Sequence, residues 1–260
     1  MLGELYKPKG KALETAQQVL EIQDPYACNV AWGCSNKCTY CYGRFRTCEI
    51  MRLPSTRPVV LVFNQLLEMV TKPKGVFLSF HTDPFLSKNL YNTSILIQEL
   101  IRWKIPIATL SKMGSSSCGI IHDIRTGMTI VSDNEAFREK YEPRATPIDF
   151  RISQLRDLHK LGAYTWISLE PYPTPAIWKQ DLKTLLDKIN FVDFIIMGKW
   201  NYDKRANDPA FYKRAVEEFV DYCKSHGIRH HVKSDTIKFI ESSKFSRELE
   251  RRRQMPWNVN

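Results

Sequence analysis

The sequence predicts an α/β fold in which a mainly parallel sheet curves into a barrel within one domain. Two observations predict it. Seven short apolar runs alternate with helical segments along the chain, the pattern of β/α units rather than of a sandwich. Polar groups then gather where each apolar run stops, as they do at the ligand-binding end of such barrels. The chain has 260 residues, and barrels of this class run undivided over about 200–250 residues.

Each element follows from its local pattern. The first residues read as extended. Leu13–Ile22 is a short helix with Ala16, Val19 and Leu20 on one side, and Asp24-Pro25 breaks it. Asn29–Trp32 is an apolar strand running into a cysteine-rich loop. A helix over Val60–Lys72 ends at Pro73 and leads to the strand Val76–Phe80. Asn92–Trp103 is a helix with a broad apolar stripe, followed by the strands Pro106–Leu110 and Gly127–Val131. Asp149–Leu161 is a helix stopped by Gly162, and Thr165–Leu169 is a strand. Pro175 opens a helix to Ile189. Phe191–Met197 is nearly all apolar, as a strand buried on both faces should be. A helix over Pro209–His226 ends at Gly227, and Ile228–Val232 is the last strand. Residues 1–28 form an N-terminal extension, 29–235 the barrel and 236–260 a basic C-terminal segment.

Composition narrows the function classes. Hydrophobic residues make up 43% and mean hydropathy is −0.35, as in a soluble globular protein. No stretch approaches the ~20 apolar residues of a membrane span, and Met1–Lys7 lacks the apolar core of a signal peptide. A cytoplasmic, reducing setting is therefore expected, which suits the odd count of 7 cysteines. Oligomeric state is not legible. The net charge of +10 fits a nucleic-acid partner and equally an anionic small molecule. Near the C-terminus, Lys233, Lys238, Lys244, Arg247 and Arg251–Arg253 form a basic stretch interrupted by Glu248 and Glu250, which reads as a phosphate-contacting patch or as a solvated helix face.

Chemistry concentrates in Gly33-Cys34-Ser35-Asn36-Lys37-Cys38-Thr39-Tyr40-Cys41, a C-x3-C-x2-C run. Structural zinc takes four protein ligands, commonly as two C-x2-C pairs, and an electron-carrying iron–sulfur cluster also takes four. Three thiolates with no evident fourth leave a coordination position open, which points to chemistry rather than to a staple. The competing reading is a non-enzymatic, zinc-stabilised nucleic-acid-binding protein.

In these residues, with Tyr40 as the aromatic before the third cysteine, the sequence resembles the radical S-adenosylmethionine superfamily. The resemblance implies a partial barrel of six β/α units and a 4Fe-4S cluster held by Cys34, Cys38 and Cys41. It also implies S-adenosylmethionine on the open iron, reductively cleaved to methionine and a 5′-deoxyadenosyl radical, with a flavodoxin- or ferredoxin-like electron donor. Thr82-Asp83-Pro84, with Lys112, Ser132 and Glu142-Pro143, is similar to the spore photoproduct lyase-like (DNA-repair photolyase-like) group. That likeness implies a lyase-like reaction, with nucleic acid as a candidate substrate.

The strand ends supply the candidate cofactor-binding residues. Thr82 and Asp83 would meet the methionine ammonium, Lys112 and Ser132 its carboxylate, Tyr40 the adenine and Glu170 the ribose. Each competes with the plainer reading of a polar residue at a loop start. Cys28, Cys48, Cys118 and Cys223 are candidate hydrogen-atom donors, although free cysteines are commonly buried small hydrophobes. His81, one of His230-His231, Tyr42 and Trp200 stand near the expected mouth. A donor cysteine beyond the barrel and a DNA-wedging hairpin, both expected of spore photoproduct lyase proper, have no identifiable counterpart in the sequence.

Overall fold

A computed structural model describes residues 4–43, 57–114 and 124–242. In chain order the elements are β1 (Leu5–Tyr6), α1 (Gly10–Leu20), β2 (Tyr26–Cys28), α2 (Arg57–Glu68), β3 (Val76–Leu78) and α3 (Leu90–Arg102). Next come β4 (Ile107–Ser111), β5 (Ile124–Thr129), α4 (Glu135–Tyr141), α5 (Ile148–Lys160) and β6 (Thr165–Tyr172). The chain continues through α6 (Leu182–Ile189), β7 (Phe194–Lys199), α7 (Pro209–Ser225), β8 (Arg229–Val232) and α8 (Ser234–Glu241). The strands form one sheet in sequential order. β1 pairs antiparallel with β2, and every later pairing is parallel. β1 and β8 are its two edges, so the barrel is partial and open.

Strand alternation sorts the apolar residues into two faces. Outward-facing Val76, Leu78 and Ile107 pack with α2 and α3 through Val62, Leu66, Leu96 and Leu100. Met128, Ile167, Leu169, Ile195 and Met197 pack with α5, α6 and α7. Inward-facing Phe77, Ala108, Trp166, Phe194 and Ile196 meet Ala16, Val19 and Leu20 of α1, so α1 fills the inside of the barrel. Room for this comes partly from Gly127, where a Cβ would lie 2.1 Å from the Trp166 ring.

Polar ties fix α1 at both ends. Lys233 Nζ donates to Lys11 O and Thr15 Oγ1, each at 2.8 Å, and Glu14 accepts from Ser234 N at 2.7 Å. At the other end Arg125 and Arg229 donate to the carbonyls of Val19 and Gln18. Cations there also oppose the negative end of the helix dipole.

Several boundaries differ from the sequence expectation. The first parallel strand is Tyr26–Cys28, not Asn29–Trp32. Asn29 turns its side chain into the place of a strand partner, Oδ1 accepting from Phe80 N at 2.9 Å and His81 N at 3.0 Å. Pro175 does not open α6; Asp181 caps it by accepting from Thr184 N at 2.7 Å. The extension assigned to residues 1–28 contributes β1 to the sheet and α1 to the core. α4 and α8 have 7 and 8 residues, too short to give a periodic signal.

Candidate functional site

At the C-terminal ends of the parallel strands lies a cavity of about 520 Å³. Cys34, Cys38 and Cys41 all line it, together with Tyr40, Thr82, Asp83, Lys112 and Glu170. The loop carrying the thiols is anchored on two sides. Gly33 N donates to His81 O at 3.1 Å, and Thr39 N to Tyr141 O at 2.9 Å. The backbone N–H groups of Asn36 and Asp83 favour the ionised form of Cys34. Burial pushes the Cys38 thiol up to about 12 and the Cys34 thiol up to about 11, with Lys112 pulling both back. Such thiols need a cationic centre before they ionise at neutral pH. Among the described residues, no three His, Cys, Asp or Glu side chains are gathered tightly enough to hold a single metal ion.

Asp83 organises the first side of the site. Its Oδ1 accepts from Ser111 Oγ at 2.7 Å and Phe85 N at 3.0 Å. Its Oδ2 accepts from Lys112 N at 2.8 Å and Asn36 Nδ2 at 3.0 Å. A carboxylate offers about four lone-pair sites, so these donors saturate it. The sequence reading gave Asp83 the ligand ammonium; in the structure it lines the cavity and joins the cysteine loop, the β3 turn and the end of β4. Thr82 lines the cavity beside it, its Oγ1 accepting from Asn89 Nδ2 at 3.1 Å.

Glu142 organises the second side. It accepts from the Tyr40 hydroxyl, and its other oxygen accepts from Arg151 Nη2 at 2.6 Å. Arg151 Nη1 continues to Thr129 O at 2.7 Å. Both members of the ion pair are 1% exposed. Tyr40 sits edge-on to Trp200 with centroids 5.0 Å apart, and Lys112 Nζ lies 5.4 Å from its ring centre. Burial works against the Lys112 ammonium, but Cys38 and Glu142 outweigh it and raise its pKa above the ordinary 10.5. Lys112 Nζ makes no hydrogen bond to any described residue, so a charged donor faces the cavity beside the thiols.

Ser132 is placed elsewhere. β5 ends at Thr129 rather than Val131, so Thr129 reaches the cavity. Ser132 accepts instead from Asn134 N at 3.2 Å at the start of α4. Cys28 and Cys223 are buried core residues whose thiols burial raises to about 12; Cys48 and Cys118 lie outside the described residues. His81 and Tyr42 line the cavity, whereas Trp200 packs behind Tyr40. His231 bonds Glu14 at 2.9 Å and His230 bonds Ile228 O at 3.0 Å. Lys233 is fully buried against α1, which removes it from the expected basic patch; Lys244 to Arg253 lie outside the described residues.

The sequence reading missed Lys233, Thr129 and the α1 residues Lys11 and Thr15 as cavity lining. Lys233 directly follows the last predicted strand, so the strand-end rule reaches it once applied there. No sequence signal places α1 inside the barrel.

No protein-family model and no curated protein matches the sequence. Solved structures do match. SuiB of Streptococcus suis bound to S-adenosylmethionine is similar with a TM-score of 0.61 at 13% identity, over 80% of this chain and 47% of SuiB. The chain thus spans about half of SuiB's length. Spore photoproduct lyase complexed with dinucleoside spore photoproduct gives a TM-score of 0.57 at 13% identity, over 80% of this chain and 76% of that one. A spore photoproduct lyase mutant with S-adenosylmethionine and dinucleoside spore photoproduct bound gives 0.56 at 12% identity, over the same shares. At these identities the likeness is one of fold: the chain shares its open, mostly parallel partial barrel with SuiB and spore photoproduct lyase.

Proposed function

We propose that this chain is a radical S-adenosylmethionine enzyme of the spore photoproduct lyase-like group, with Cys34, Cys38 and Cys41 holding a 4Fe-4S cluster. The observation that carries the reading is the convergence of these three thiols on one strand-end cavity beside the Asp83 turn and the Lys112 ammonium, which bonds none of the described residues. The donor set fits such a cluster. The Cys38 sulfur is buried and those of Cys34 and Cys41 are half-buried, the backbone N–H groups of Asn36 and Asp83 favour the ionised form of Cys34, and the loop that carries all three is anchored on two sides. When bound, the cluster supplies an electron and an open iron, the chemistry that splits S-adenosylmethionine to methionine and a 5′-deoxyadenosyl radical.

The chain's own groups do the positioning. Lys112 offers its ammonium to the methionine carboxylate, and Thr82 offers a hydroxyl oxygen to the ammonium. Tyr40, held by Glu142, walls the site against solvent. The electron comes from a flavodoxin- or ferredoxin-like donor, and a nucleic-acid substrate accords with the net charge of +10.

A zinc-stabilised nucleic-acid-binding protein is the rival. Zinc needs all its donors about 2.0–2.3 Å from one point, and no described trio of side chains is so gathered. A cubane instead places one thiolate on each of separate irons. Anaerobic reconstitution is expected to give a brown protein with about four irons per chain. Cys38→Ala is expected to lose iron and to abolish S-adenosylmethionine cleavage. A colourless wild-type protein, or full cleavage by the variant, refutes the assignment.

A further inference from the structure

The cavity contains two charge neighbourhoods. Around Cys34 and Cys38 the charges are Asp83, Lys112 and Glu142. Around Glu170 they are Lys233, Lys11, Asp235 and Glu14, contributed by the residue that joins β8 to α8, by α8 and by α1. Tyr42 lines the same cavity as Cys34, Cys41 and Glu170.

Glu170 is mostly buried, yet its carboxylate makes no hydrogen bond to any described residue. The cation that acts on it most, Lys233, does not supply one. The three N–H donors of Lys233 go to Lys11 O at 2.8 Å, Thr15 Oγ1 at 2.8 Å and Glu14 Oε2 at 3.3 Å. The fold also makes room for the carboxylate: a Cβ on Gly198 would lie 2.8 Å from both Cγ and Cδ of Glu170. A half-buried carboxylate without donors from the described residues takes its hydrogen bonds from solvent or from a ligand. Such a group, aimed at a cavity, is an acceptor that a ligand completes.

We propose that Glu170 reads the substrate, accepting the exocyclic amino group of a nucleobase held across the cavity from the three cysteines. The inference rests on the function proposed above, because that chemistry places the substrate opposite the thiols. A carboxylate accepts from the amino group of cytosine and repels the carbonyl that uracil presents at the same position. Tyr6, Tyr42 and Tyr202 line the cavity and offer faces for a base. Lys9 and Lys37, also lining it, have no ion pair with any described residue and suit a phosphate. The ribose role expected of Glu170 is the competing assignment, and the test separates the two.

The test uses the full chain, reconstituted with iron and sulfide, with cytidine and uridine 5′-monophosphates as probes in the presence of S-adenosylmethionine. Calorimetry is expected to give wild-type protein a preference for the cytidine nucleotide of about tenfold or more. Glu170→Gln, which replaces an acceptor by an amide, is expected to cut that preference to about twofold. Gly198→Ala, which pushes the Glu170 side chain from its slot, is expected to do the same without touching the carboxylate chemically. Three results overturn the proposal: no nucleotide binding by the wild type, an unchanged preference in both variants, or a tenfold loss of S-adenosylmethionine affinity in Glu170→Gln. The last assigns Glu170 to the cofactor. Failure of the underlying function reads out separately, as wild-type protein that holds no cluster or binds no S-adenosylmethionine.

Discussion

Asp83 and Glu170 are both carboxylates beyond the ends of parallel strands, both sheltered and both raised in pKa chiefly by burial. They differ in their partners. Asp83 accepts four hydrogen bonds from three parts of the chain, whereas Glu170 accepts none from the described residues. A buried acid with its donors supplied is part of the architecture, and one without them is open to a ligand. By this criterion the cavity has a closed side, where the thiols are set, and an open side facing α1 and the start of α8. Residue type alone does not separate the two, since either carboxylate could have met a ligand.

The comparison breaks first at Glu142, the other closed acid. Glu142→Ala leaves Arg151 charged, 1% exposed and without its carboxylate, a change worth about 3–5 kcal/mol. The melting temperature of the apoprotein is expected to fall by on the order of 10 °C. A fall of a degree or two means that the Tyr40–Glu142–Arg151 chain does not brace the cysteine loop.

Asp83→Asn comes next. Whichever way the new amide faces, its NH2 meets donors where the carboxylate accepted, leaving buried groups unpaired at about 1–3 kcal/mol. Iron uptake is expected to be incomplete as well, because Asn36 and the Lys112 backbone lose the acceptor that fixes them beside the thiols. Normal melting together with full iron loading removes Asp83 from the organising role. Neither variant is expected to alter nucleotide preference, which belongs to the open side.

How much of this was legible in the sequence depends on the range of the interactions. The alternation of apolar runs reports strand and helix locally, so the parallel order and the cysteine loop at a strand end follow from it. That the three thiols and Lys112 reach one cavity was legible because spacing and strand-end position are local too. The saturation of Asp83 was not legible, since its donors come from residues 36, 85, 111 and 112, which only the folded chain brings together. Ser132 was misplaced by a two-residue error in the end of β5, enough to exchange it for Thr129 at the mouth. α1 read as a short helix with Ala16, Val19 and Leu20 on one side, with nothing to say what that side meets. Its apolar residues in fact face the barrel interior, and the polar partners that hold it there, Lys233 and His231, lie more than two hundred residues away.

The smallest expected effect tests the open side directly. Burial holds the Glu170 carboxyl above its ordinary value of 4.5, with Lys233 and Lys11 pulling it back. The folded protein therefore keeps this proton to a higher pH than the unfolded chain does. Below 4.5 both states are protonated and the group contributes no pH dependence. As pH rises beyond that value the unfolded chain releases its proton first, so this group lowers folded stability until the folded carboxyl has titrated as well. Glutamine carries no such proton. Urea unfolding midpoints at about pH 4 and about pH 8 are thus expected to move in favour of Glu170→Gln, relative to wild type, as pH rises. A difference that stays constant, or that moves toward wild type, means that Glu170 has a donor in the folded chain, and the contrast with Asp83 disappears.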